Sequence, residues 1–214
     1  WQNKYINAAE LAVIVPIPET VLDDVDYDVW GEVRPRIVEA FGKAFDAAVL
    51  YGTNKPGDWP DGLVTGATAA SQAVTLGAGA DIFEDIMGEG GVIAKVEEDG
   101  FMVTGHIAAL ALRAKLRGLR DNQGLPIFVR TVQAATPYEL DGVPVDFPKN
   151  GAVDAAQSLL VSGDWSQLVY SIRQDVTYKV LTEAVIQDAG GTIQYNLAQQ
   201  DMVALRVVMR LGWQ

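Results

Sequence analysis

The sequence predicts an α+β fold, on three observations. An apolar stripe with helical spacing runs through residues 27–50, and the clearest strand-period alternation occupies residues 203–211. Glycine, at 21 of 214 residues, punctuates the chain too often for a simple helical bundle. Apolar residues make up 49% of the chain. A protein of this length buries roughly 70% of the surface its unfolded chain exposes, so a full core is expected. That core fits one domain, or two small lobes that share a long element.

Taken in order, residues 10–18 (Glu-Leu-Ala-Val-Ile-Val-Pro-Ile-Pro) predict an extended segment. Their β-branched side chains favour a strand, and Pro16 and Pro18 confine it to an edge or a terminus. Asp23, Asp24, Asp26 and Asp28 then precede the helix, where carboxylates cap free amides and face the positive end of the dipole. Trp30, Val33, Ile37, Phe41, Ala44 and Ala48 form the helical stripe, which Val29, Val38, Phe45 and Val49 widen. A helix of about 24 residues spans roughly 36 Å, twice the usual length of about 12 residues. Pro35 lacks an amide proton, so it predicts a kink or the start of the regular helix, and Gly31 weakens the same end. Gly52 predicts the stop.

Residues 51–63 predict a long ordered loop held by Trp59 and Leu63. Residues 64–80 are rich in Ala, Gly and Thr, and only 74–76 suggests a short strand. Short helices are predicted at 81–87 and 91–98. A buried strand at 101–104 and a helix at 106–117 follow, with Ile107, Leu110, Ala111 and Ala114 facing inward. A turn at 122–124 and a strand at 127–129 come next. Residues 137–148 predict a hairpin-like element turning at Asp141-Gly142. The last third predicts strands at 168–172, 176–181 and 203–211, with a loop or excursion over 183–200 tipped by Gly190-Gly191.

Charge and residue inventory exclude several kinds of chemistry. The formal net charge is −12, which disfavours nucleic-acid binding as a main role. The densest basic run, Arg113, Lys115, Arg117 and Arg120, has the spacing of a solvated helix face. With no cysteine, disulfides, thiolate catalysis and cysteine-based zinc sites are excluded. The single histidine, His106, makes no multi-histidine metal site, and its expected role is capping or packing at a helix start. No apolar run reaches the roughly 18 residues of a membrane span. The first residues lack a signal peptide's apolar core and an initiator Met, so a fragment or a processed product is expected.

The carboxylate groups Asp23/Asp24, Glu84/Asp85 and Glu97/Glu98/Asp99 lie in short polar runs and predict helix ends or caps rather than acid–base pairs. Gly77-Ala78-Gly79-Ala80-Asp81 and Gly88-Glu89-Gly90-Gly91 fall short of nucleotide-binding fingerprints. The tryptophans at 1, 30, 59, 165 and 213 fit core or interface roles equally. No catalytic, cofactor-binding or metal-ligating residue is predicted, and no cofactor; the chain reads as a scaffold.

Six fragments in order carry a resemblance. They are residues 4–24, Ala47 to Gly52 with Pro60 to Leu63, Leu116 to Phe128, Leu140 to Val145, Gly163-Asp164-Trp165, and Leu205 to Trp213. Together they resemble the major capsid proteins of tailed phages, the Hong Kong 97-type fold that encapsulin compartments share. The resemblance implies a peripheral-lobe strand and spine helix over 1–62, an axial lobe over 63–140 and a peripheral-lobe sheet over 141–214. It implies a structural shell protein, not an enzyme, of a tailed double-stranded-DNA phage or prophage. Copies would form hexameric and pentameric rings with scaffolding, portal or maturation-protease partners. They would enclose DNA without binding it specifically, first in the host cytoplasm and then in the virion capsid, with no membrane contact. The family's N-terminal arm and extended loop would precede Lys4, and no crosslinking residue is assigned. An encapsulin-like shell, a carboxylate-metal hydrolase and a non-capsid interaction module are the competing readings.

Overall fold

The computed structural model describes residues 4–24, 26, 28–119 and 138–214. In chain order these form strand β1 (Ala9–Pro18) and helices α1 (Glu19–Asp24), α2 (Val29–Tyr51), α3 (Leu63–Ala69), α4 (Ile82–Met87) and α5 (Val92–Glu98). Strand β2 (Gly105–Ala108) and helix α6 (Leu110–Gly118) follow, then strands β3 (Glu139–Leu140), β4 (Val143–Asp146) and β5 (Leu160–Gly163). After a 3₁₀ turn at Trp165–Gln167 come β6 (Tyr170–Leu181), β7 (Val185–Gln187), β8 (Ile193–Asn196), helix α7 (Leu197–Gln200) and β9 (Met202–Trp213). The mixture is α+β, and the chain divides into two compact units.

The first unit comprises Trp1–Phe41, Pro56–Trp59 and Tyr170–Gln214. Its main sheet has the order β1-β9-β6, with both pairings antiparallel. The two prolines of β1 are tolerated because that strand lies at an edge. Leu11, Val13 and Val15 sit opposite Met209, Val207 and Leu205, so one face of the sheet is apolar. The first half of α2 lays Trp30, Val33, Ile37 and Phe41 on that face. Val38 and Ala44, expected in the same stripe, are exposed. Val38 lies one position off the phase set by Ile37 and Phe41 and turns away from the sheet, whereas Ala44 is in phase but lies past Phe41, where the first unit's share of the helix ends.

Helix α2 runs unbroken through Pro35, which lies inside it rather than at its start. Gly52 ends it as expected: at φ +71° its amide donates to Ala48 O at 2.9 Å. The residues read as two strands, 168–172 and 176–181, form one strand, β6, with register shifts between Ile172 and Thr177. Those irregularities fall on Arg173, Gln174 and Asp175, a polar interruption that hides the continuity in the sequence. The excursion at 183–200 is there, but it is a hairpin of β7 and β8 followed by α7.

The second unit comprises Gly42–Lys55 and Pro60–Val169. Its sheet has the order β3-β4-β2-β5, with β2 parallel to β4 and antiparallel to β5. The division expected at 140/141 therefore runs between β3 and β4 of one sheet, and the unit continues to Val169. Leu112 and Leu116 of α6 fill the core with Ile86, Ile93, Ala108 and Val145. The Asp141-Gly142 turn joins β3 to β4 as predicted, with both residues at positive φ. Where α2 ends, the Tyr51 hydroxyl accepts from Asp154 N at 3.0 Å and pairs with Ser158 Oγ at 2.9 Å. Gly62 must be glycine, because a Cβ there would lie 2.3 Å from Gly52 N.

Four local expectations are corrected. Residues 63–69 are helical, and 74–76 form no strand. Residues 101–104 form no strand either, and Phe101 and Met102 are exposed. The strand is instead 105–108, and the helix begins at Leu110 rather than at 106. Its inward residues are Leu112 and Leu116, whereas Leu110 is 54% exposed and Ala111 and Ala114 are also exposed. Two stripes compete on this helix, and the pair of leucines buries more apolar area than one leucine with alanines. The turn at 122–124 and the strand at 127–129 lie outside the described residues.

Candidate functional site

The carboxylates singled out in the sequence do not converge. Asp23 and Asp24 close α1, and Glu97 and Glu98 close α5, where Lys95 pairs with Glu98 at 3.4 Å. Asp99 accepts from Gln72 Nε2 at 2.9 Å. At the start of α4, Asp81 caps the helix by accepting from Glu84 N at 3.0 Å, and Glu84 reaches back to Ala80 N at 3.0 Å. Among the described residues, no three His, Asp or Glu side chains are grouped to hold a metal ion.

Asp85 departs from its expected role as part of a solvated helix end, because it is buried. Its two oxygens accept from Gly77 N and Gly79 N, each at 2.7 Å. Those amides, Gly77 first, hold its carboxyl below the usual range. The glycine run tested for phosphate binding is thus an anion cradle occupied by the chain's own carboxylate. Sequence spacing alone gave no sign that the side chain turns back onto that loop.

His106 is corrected too. It is not at a helix start but in β2, where it is only 2% exposed. Its Nδ1 pairs at 2.8 Å with Oγ of Ser162, the residue directly opposite on β5. Its Nε2 is buried without a hydrogen-bond partner among the described residues. Burial lowers its affinity for a proton, and the Leu140 carbonyl and the Asp141 charge pull the other way. Among the described residues, no carboxylate hydrogen-bonds this ring opposite the Ser162 hydroxyl, as a catalytic triad requires.

Asp154, Asp164 and Asp188 also sit below the usual carboxylate range. The main causes are the Ala156 amide for Asp154, the Ser166 hydroxyl for Asp164 and the Thr192 amide for Asp188. Each closes a tight turn. Trp59 and Trp213 are buried; Trp59 donates to Asn7 O at 3.1 Å, and Trp165 donates to Gly105 O at 2.9 Å. These tryptophans therefore pack within their own units. Trp1 lies outside the described residues. Arg113 stacks over the Tyr138 ring, 4.7 Å from its centroid, rather than lying on a solvated face.

What remains is surface. Among the described residues β6 is paired only through β9, which leaves its other edge open. Tyr170, Ile172, Tyr178 and Val180 of β6 are all exposed. Tyr178 and Val180 stand opposite Val207 and Leu205, on the side that faces α2. There Arg34 of α2 lies 5.3 Å from the Tyr178 ring centroid. On the opposite side of the sheet, Glu10 bridges Arg210 at 2.9 Å and Arg206 at 3.5 Å. An open edge strand carrying exposed apolar side chains can pair with another chain, although Lys179 and the irregular Arg173–Asp175 stretch interrupt this one.

Comparison with known proteins points the same way. The model of the phage capsid family matches residues 1–214. The major capsid protein of Staphylococcus phage 80alpha is 29% identical over 216 residues, which is 99% of this chain. A solved chain from Microbacterium phage Oxtober96 is 39% identical with a TM-score of 0.84, the match covering 98% of this chain and 66% of that one. One from Mycobacterium phage Adephagia is 32% identical with a TM-score of 0.79, covering 97% and 66%. The chain spans 62% of the length of the Staphylococcus phage relative.

Proposed function

The chain belongs to the phage capsid family, and on that premise we propose that it is the shell-forming body of a tailed double-stranded-DNA phage or prophage major capsid protein. One observation carries the reading: the family match runs over the whole chain. The likeness in fold to a phage chain at 39% identity supports it.

In this reading α2 is the spine helix of a Hong Kong 97-type fold. The sheet β1-β9-β6 belongs to the peripheral lobe and the sheet β3-β4-β2-β5 to the axial lobe. The closure of β2, β3, β4 and β5 into one sheet supports extending the axial lobe past residue 140 to about Val169. The work is mechanical rather than catalytic. Copies pack into hexameric and pentameric rings and close into an icosahedral-type shell, first in the host cytoplasm and then as the virion capsid. Each contact can be modest, because every copy makes several and closure multiplies them. Scaffolding, portal and maturation-protease proteins are the expected partners. A net charge of −12 fits a wall that encloses DNA without gripping it.

The test is to express the full-length parent protein with its genomic neighbours and image the product by electron microscopy. Closed shells containing DNA are expected. Persistent monomers under assembly conditions overturn the proposal, and closed shells holding a protein cargo and no DNA transfer it to the encapsulin-like class.

A further inference from the structure

The second unit buries the only histidine of the chain in the middle of its sheet. Strand β2 lies between β4 and β5, and His106 stands opposite Val145 on one side and Ser162 on the other. The ring spends one nitrogen on Ser162, and the other, Nε2, is buried with no hydrogen-bond partner among the described residues. A neutral ring suits this site. With the proton on Nδ1, the ring donates to Ser162 Oγ, and Nε2 keeps only a lone pair that needs no acceptor. A charged ring suits it less: protonation adds a charge and a second N–H donor to a buried site, and burial outweighs the acceptor on hand, the Leu140 carbonyl.

From this geometry we infer that His106 is an acid-sensitive latch: while neutral it holds β2 against β5, and once protonated it loosens the sheet of the second unit. The groups around it set the direction. Asp141, in the turn between β3 and β4, is the nearby negative charge, and the Leu140 carbonyl is an acceptor that also favours the charged ring. The cavity that His106 lines also presents Arg113 from α6, Asp146 from β4 and Lys149 beyond it. Two cations against two carboxylates leave no net negative field to stabilise an imidazolium, so burial decides.

The sign follows from linkage. A histidine that resists protonation when folded takes up its proton more readily in the unfolded or opened state. The stability it confers is therefore complete above the ordinary histidine range and falls with pH below it, levelling off once the folded form is also protonated. This inference does not depend on the capsid reading.

The sole histidine makes the test direct. Nuclear magnetic resonance of the chain with labelled imidazole follows one ring through an acid titration, while hydrogen exchange reports protection at 105–108 and 160–163. The expected result is a midpoint below the ordinary histidine value. Protection in those strands falls roughly tenfold or more over the same pH interval, after correction for intrinsic exchange. His106→Gln keeps a hydrogen bond within reach of Ser162 but has no charge to gain, and its protection stays flat across that interval. A midpoint at or above the ordinary value overturns the inference, as does protection in the unmodified chain that stays constant through the titration. The same acid loss in a folded His106→Gln variant also overturns it. If that variant does not fold, the two wild-type measurements decide alone.

Discussion

Asp85 does for the loop at 77–79 what a bound anion does elsewhere, and two short hydrogen bonds from glycine amides hold it there. Asp85→Asn keeps the shape but halves the acceptor capacity and puts an NH2 group against an N–H donor. The expected outcome is a lower melting temperature and a looser 77–79 loop, read by thermal denaturation and by hydrogen exchange of those amides. Because its carboxyl is held below the ordinary carboxylate range, Asp85 contributes stability that is present above that range. The contribution is lost as pH falls through the lower, folded value. Asp85→Asn should therefore flatten the acid limb of the stability curve, and an unchanged limb would show that the cradle is not a stability element. The residue scale was the least legible in the sequence. The capping role of Asp81 can be read from its spacing to Glu84. That Asp85 turns inward, or that His106 meets Ser162, depends on tertiary packing that no local pattern encodes.

At the scale of elements, the long patterns were readable and the short ones were not. The stripe of α2 and the alternation of β9 each extend over enough residues to outvote an exception such as Pro35 or Gly31. At 105–118 a four-residue strand abuts a nine-residue helix, and two apolar phases fit the helix equally until the core selects one. That selection can be measured. Leu116→Ala, at a side chain 1% exposed, should cost about 2–5 kcal/mol, whereas Leu110→Ala should stay within about 0.5 kcal/mol. Equal losses in urea denaturation would mean that the helix is not held in this phase. Pro35 offers a second test. It is the seventh residue of α2, where an amide would otherwise bond to the carbonyl of Gly31. A proline inside a helix costs roughly 3 kcal/mol, offset in part by the stiffer unfolded chain. Pro35→Ala should therefore raise stability by about 2 kcal/mol with an unchanged urea slope. A loss instead would mean that the first unit requires whatever bend the proline imposes.

For the whole molecule, the question is how chains of like charge come together. Each copy carries a formal charge of −12, and two approaching copies repel unless the contact is apolar or locally complementary. The exposed strip of β6 supplies an apolar contact, and in the Glu10, Arg206 and Arg210 cluster one carboxylate already offsets part of the charge of two cations. Surface pairs of that kind contribute about 0–1 kcal/mol and offer little to a neighbour. Long-range repulsion is then the main electrostatic effect on association, and salt removes it: the screening length falls from about 10 Å at 0.1 M ionic strength to about 3 Å at 1 M. Self-association of this chain, followed by sedimentation or light scattering at neutral pH, should therefore strengthen as salt rises. It should strengthen again as pH is lowered toward the isoelectric point near 4.4, short of acid unfolding. Ile172→Asp and Val180→Asp, which charge the β6 strip at side chains about half exposed, should weaken it at every salt concentration. The opposite salt dependence would mean that copies meet through paired charges rather than apolar surface. The β6 strip would then be ruled out as the dominant contact, whatever the family to which the fold belongs.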